Sequence, residues 1–316
     1  MVLEDRWLRE TYVDLLIEYA AKNKDIVILE ADLMKAGGTF RFAEKYPERT
    51  FDVGIQEANM IGTAAGMSAM GKIPFTHTFT AFATRRVCDQ VTLSVAYAGL
   101  NVKMMGSDPG VTAEYNGGTH MSMEDVSIMR NIPGMIVYEP VDSAQLKAIF
   151  PQIVDHYGPV YIRLLRRNAV KVFEDGETFE LGKGKLMREG SDVSIFATGI
   201  MVADAVEAVE ELEKEGIHAE LINIHTVKPL DEEMVLASVA KTGCAVTAEN
   251  HSVIGGLGSA VAELLVEKDP VPVKKVGVMD HFGEVGLTPY LKEKYGLTAK
   301  DIIAAAKAAN EKEVRI

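Results

Sequence analysis

The sequence predicts an α/β protein of two doubly wound domains in series, each a mainly parallel sheet with helices on both faces. Three observations carry this reading. Short β-branched runs alternate with longer amphipathic ones from the first residues onward. A polar, glycine-dotted stretch between Asn168 and Ser191, containing Glu174-Asp175-Gly176-Glu177, then breaks the pattern. After it the alternation restarts. The boundaries that follow are 1–170 for the first domain, 171–190 for a linker and 191–316 for the second.

In the first domain, strands are expected at Ile26–Leu29, Thr50–Val53, Phe75–Phe79, Val102–Met105, Met135–Tyr138 and Val160–Leu164. Longer amphipathic runs between them predict helices over Arg6–Ala21, Ala58–Met70, Arg85–Tyr97, Met123–Arg130 and Ser143–Asp155. The second domain repeats the scheme with strands at Val193–Ala197, Ala219–Ile224, Ala245–Ala248 and Val273–Val278 and helices between.

The chain has 316 residues, about the length of two domains, and its 47% hydrophobic content suffices for two cores. With 33 basic and 46 acidic residues, a net charge of −13 disfavours nucleic acid and anionic membranes as partners. Small molecules and proteins remain. The acidic opening MVLEDRWLRE is unlike a signal peptide, and no long apolar run occurs, so a cytoplasmic location is expected. Cys88 and Cys244 lie in separate domains without metal-ligand neighbours and read as reduced core residues; no metal site is expected on this chain.

Chemistry concentrates in the first domain. In Asp52-Val53-Gly54-Ile55-Gln56-Glu57-Ala58-Asn59-Met60 a strand ends, a glycine turns the chain and a helix rich in Gly and Ala begins. Glu57 on its first turn reads either as a carboxylate favoured by the helix dipole or as a proton donor in a tightly packed apolar seam. Next, Phe79 and Phe82 leave a strand end three residues apart. They are either core packing or a stacking surface for a flat heterocycle. His120, closing the loop Gly106–His120 with its four glycines, suits contact with substrate oxygens better than core packing.

Taken in order, these runs resemble a family. The Asp52–Met60 segment, Phe79…Phe82, Gly117-Gly118-Thr119-His120 and Arg130-Asn131-Ile132-Pro133-Gly134-Met135 are similar to the pyrimidine-binding domain of transketolases and deoxyxylulose-phosphate synthases. Ala197-Thr198-Gly199, Asn250-His251 and Gly255-Gly256-Leu257-Gly258-Ser259-Ala260 resemble the family's C-terminal domain. The family's Gly-Asp-Gly motif for diphosphate and Mg²⁺ is missing. The resemblance therefore implies the C-terminal subunit of a split transketolase, with an N-terminal partner subunit holding most of the Mg²⁺ and diphosphate, in an α2β2 assembly.

The same resemblance implies transfer of a two-carbon ketol unit from a ketose to an aldose phosphate with thiamine diphosphate as cofactor. Glu57 would hydrogen-bond the aminopyrimidine, Phe79 and Phe82 would stack on it, and Asp32 would lie nearby. His120 would contact donor hydroxyls, while Arg9 and Arg166 would hold a sugar phosphate. Arg86 resembles an acceptor-binding arginine. Ordinary transketolases have serine at Ala36, a histidine near Asp108 and aspartate at Asn116, so these departures imply a non-standard, branched or sulfonated donor. The second domain would serve assembly. Two competing readings are the β subunit of a 2-oxoacid dehydrogenase, which Gly117–His120 disfavours, and a non-enzymatic nucleotide-binding or electron-transfer subunit, which leaves Glu57 and His120 unexplained.

Overall fold

The computed structural model describes residues 2–311. Its first-half strands are β1 Leu3–Trp7, β2 Ile26–Glu30, β3 Thr50–Asp52, β4 Ile73–Phe79, β5 Lys103–Ser107, β6 Ile136–Tyr138, β7 Val160–Leu164 and β8 Asn168–Val170. Those of the second half are β9 Lys185–Arg188, β10 Val193–Ala197, β11 Ala219–Asn223, β12 Thr226–Lys228, β13 Ala245–Ser252 and β14 Val273–Val278. The first sheet runs β12-β6-β7-β5-β4-β2-β3 and the second β14-β13-β10-β11-β9. Pairing is parallel throughout except at β12 and β9, each an antiparallel edge. Strands β2, β5, β7 and β10 are buried along their whole length, as a sheet covered on both faces requires. No helix is long and apolar enough to cross a membrane among the described residues.

The doubly wound architecture thus forms as predicted, with differences at its margins. The first helix starts at Leu8 rather than Arg6, because Leu3–Trp7 is drawn into a two-stranded ribbon with β8. The stretch expected as one helix over Arg85–Tyr97 is broken into turns at Arg85–Val87 and Cys88–Gln90 and a π-helical segment at Val91–Tyr97. β9 lies inside the span read as linker and extends the second sheet. β12 leaves the second domain and closes the edge of the first sheet against β6.

Polar clamps also join the halves. Fully buried Arg163 on β7 donates to Asp125 at 2.6 and 3.1 Å, to Glu139 at 2.6 Å and to the Asn250 carbonyl at 2.7 Å. Asn250 in turn accepts from Val111 N at 3.0 Å and donates to the Pro109 carbonyl at 2.9 Å. A Cβ at Gly110 (φ +52°) would collide with Asn250, and one at Gly118 with the Gly283 carbonyl. Glycine in this loop therefore lets the second domain approach and fix the segment that ends at His120.

Candidate active site

Because β2, β3, β4, β5 and β7 are parallel, their carboxyl ends share one edge, where ligands of such sheets bind. Glu57 opens the helix Glu57–Ala69 beyond β3 and is 3% exposed. It is buried as its sequence context suggests, but its surroundings are not purely apolar. Arg86 donates to Glu57 Oε1 at 2.6 Å, and the same guanidinium lies 3.8 Å from the centre of the Phe82 ring. Along the helix Ala64, Ala65 and Ser68 face inward, while Gly62 and Gly66 are exposed with open space above them. The close packing expected of the small residues is thus only half used within this chain.

Phe79 and Phe82 are half-buried, so their rings remain available instead of being spent in a core. They sit 6.2 Å apart at a tilt, and His120 meets both edge-on, at 5.9 Å from Phe79 and 5.1 Å from Phe82. Thr119 Oγ1 lies 2.8 Å from His120 Nδ1 and steadies the imidazole. Beyond Phe79 stands Arg166, 5.7 Å from the ring centre, with its Nε 3.0 Å from Asp108 Oδ2. Arg9 joins them: it donates to the Ala36 carbonyl, covers Trp7 at 4.3 Å and feels the charges of Arg166 and Asp108.

Asp108 is 1% exposed and held at φ +58°. Burial pushes its carboxyl up to about 6, against the pull of Arg166, Arg167 and Arg9. The Arg166 contact is close but misaligned for a hydrogen bond, which leaves both Asp108 oxygens without a bonded partner.

Glu57, Arg86, Phe82, His120, Phe79, Arg166 and Asp108 therefore form one continuous chain of contacts, with Arg9 within reach of its charges. Asp32 and Asn116 stand apart. Asp32 is exposed at φ +59° with its N–H held by Asp52 at 3.0 Å, and Asn116 is exposed at the end of the turn Gly110–Asn116. Two features escape sequence reasoning. The Glu57–Arg86 pair joins residues 29 apart with no local pattern. The Asn250 clamp was visible only as part of the motif Asn250-His251.

Residues 6–171 match the transketolase pyrimidine-binding domain and residues 182–302 the transketolase C-terminal domain. The chain is 70% identical over 311 residues to a 6-deoxy-6-sulfo-D-fructose transketolase subunit of Clostridium sp. (strain MSTE9), covering 98% of this chain and 97% of that protein. It is 41% identical to a putative transketolase C-terminal section of Methanocaldococcus jannaschii, covering 93% of each. A solved split-gene transketolase, an inactive β4 tetramer, superposes with a TM-score of 0.90 at 47% identity, covering 96% of this chain and 98% of that one. With both domains matched in order and near-complete relatives on either side, the chain belongs to the transketolase family, as the half that carries the pyrimidine-binding and C-terminal domains.

Proposed function

We propose that this chain joins an N-terminal subunit in an α2β2 thiamine-diphosphate enzyme that moves a two-carbon ketol unit from a sulfonated ketose to an aldose phosphate. The observation that carries the proposal is the seat formed by Glu57 and Phe82. Arg86 fills it with a flat group that stacks on the ring and donates an N–H to the carboxylate. An aminopyrimidine has the same needs, a π face and a hydrogen-bonding edge, so the residues fit the cofactor. When bound, thiamine diphosphate supplies the carbon nucleophile that adds to a ketose carbonyl.

The chain's own residues do the rest. Glu57 holds and shares a proton at the pyrimidine edge, with the low exposure that keeps water from competing. Phe82 and Phe79 fix the ring plane, while Asp32 lies further along the same sheet edge. His120, packed against both rings, presents its imidazole to donor hydroxyls. Asn116, exposed on the loop that leads to His120, is left to meet the donor from outside this cluster, and Arg86, once displaced, meets the acceptor phosphate. Arg166 and Arg9 receive the donor's anionic end; the sulfonated substrate in the name of the Clostridium relative supports this choice of donor. Among the described residues no group of three or more His, Cys, Asp and Glu converges as a metal site. Mg²⁺ and the diphosphate fall mainly to the partner subunit.

The test mixes the pure chain with candidate N-terminal subunits and follows ketol transfer from 6-deoxy-6-sulfofructose. Turnover is expected only in the mixture, and calorimetry should find weak cofactor binding to this chain alone. Tight binding or turnover without a partner would refute the two-chain reading.

A further inference from the structure

Three arginines and two acids converge beyond the aromatic pair, and their pairing leaves a definite residue of charge. Arg167 faces Glu114 at 2.8 Å, and Glu114 also accepts from Thr288 N and Oγ1 at 3.1 and 2.7 Å. Arg166 faces Asp108 at 3.0 Å. Arg9 is the surplus cation. Its contacts are the neutral Ala36 carbonyl and Trp7 ring, and the nearby Glu10 lies 3.8 Å from Arg6.

The cluster also retains bonding capacity. Nε of Arg9, Nε of Arg166 and both oxygens of Asp108 are buried without an aligned hydrogen-bond partner, while the Arg166 side chain, 5.7 Å from the Phe79 ring centre, stays 18% exposed. Buried groups of this kind are normally satisfied. A guest with several oxygens would satisfy the two guanidinium nitrogens.

The number of charges on that guest decides the outcome. A sulfonate carries a single negative charge on three oxygens, whereas a phosphate monoester carries close to two near neutral pH. A surplus of one positive charge matches the first. The second charge of a phosphate would face Asp108 with no cation left to answer it, and like charges brought together discriminate between ligands.

The geometry points to Asp108 as a fixed counter-charge that tunes this anion seat to a singly charged terminus, selecting a sulfonated donor over its phosphorylated counterpart. This rests on the reading that Arg9 and Arg166 receive the donor's anionic end. Asp108 touches no reacting atom in this role and acts as a specificity-determining residue.

The experiment uses the reconstituted two-chain enzyme with 6-deoxy-6-sulfofructose and fructose 6-phosphate as donors. Asp108→Asn keeps shape and tolerates the left-handed backbone, since Asn is among the residues that adopt it. The ratio of kcat/KM for the phosphate over the sulfonate is expected to rise severalfold, toward about tenfold at pH 7, mostly through KM. In the wild type, 2,3-dihydroxypropane-1-sulfonate should inhibit at concentrations at least ~tenfold below glycerol 3-phosphate, a comparison independent of how the variant folds. Arg166→Ala should weaken both donors. If it does so while Asp108→Asn leaves the ratio unmoved, the counter-charge is refuted and the anion seat stands. If Arg166→Ala leaves both donors unaffected, the seat itself is wrong and the counter-charge falls with it.

Discussion

Glu57 and Arg86 hold each other across the mouth of the site, and their pairing sets up a competition. A guanidinium on Phe82 and a bound pyrimidine cannot share one face of one ring. Removing Arg86 should therefore tighten thiamine diphosphate binding to the isolated chain. A part-buried ion pair, exposed only on the Arg86 side, and a cation–π contact together are worth about 1–2 kcal/mol, so Arg86→Ala is expected to improve the dissociation constant by about tenfold in calorimetry. An unchanged constant would place the pyrimidine elsewhere. Glu57→Gln tests the other partner: turnover of the assembled enzyme should fall ~10²-fold or more with the melting profile retained, because the amide keeps the shape but cannot share the proton. Turnover near wild type would reduce Glu57 to a helix-start residue. Glu57, Phe79, Phe82 and His120 were legible because each follows a strand end in a recognisable order. The Arg86 contact was not, since an ion pair between distant residues leaves no periodic trace.

Among the elements, β2 and β4 carry a buried polar pair where the sequence shows only two strands. Glu30 and His77 are register partners across these strands, with Glu30 Oε1 3.3 Å from His77 Nδ1; Thr39 donates to Glu30, and the Tyr12 hydroxyl lies 3.0 Å from His77 Nε2. Burial raises Glu30 from an ordinary carboxyl value of 4.5 to about 8 and drives His77 down to about 3, so both are mainly neutral at pH 7. The folded chain then holds the Glu30 proton more firmly than the unfolded chain, and this contribution to stability is lost as pH rises from about 4.5 through 8. Glu30→Gln resembles the protonated form at every pH. Its stability relative to wild type should improve between pH 5 and pH 9 by at least ~1.4 kcal/mol, the worth of one pKa unit. Parallel stability curves would contradict this account. The predicted strands are all found in the structure because short runs rich in β-branched and apolar residues, alternating with longer amphipathic ones, specify them. The ribbon of β1 and β8 and the edges β9 and β12 were missed because strands of three to five residues depend on remote partners.

For the molecule as a whole, Arg163 links the two halves. Arg163→Leu strands Asp125 and Glu139 as buried acids and removes the donor to the Asn250 carbonyl. The expected loss is about 3–5 kcal/mol in urea unfolding, as when one partner of a buried pair is deleted. A loss below ~1 kcal/mol would mean that water reaches the acids. The pairing of β12 with β6 bears on how the chain is made. Synthesis delivers Ile136–Tyr138 long before Thr226–Lys228, so the nascent first sheet waits with one row of backbone N–H and C=O groups unclaimed. The later half works as a built-in chaperone for the earlier one. A ribosome stalled, or a gene cut, near residue 170 would release a sheet with one adhesive margin, whose nearest available substitute for β12 is the same margin on another copy.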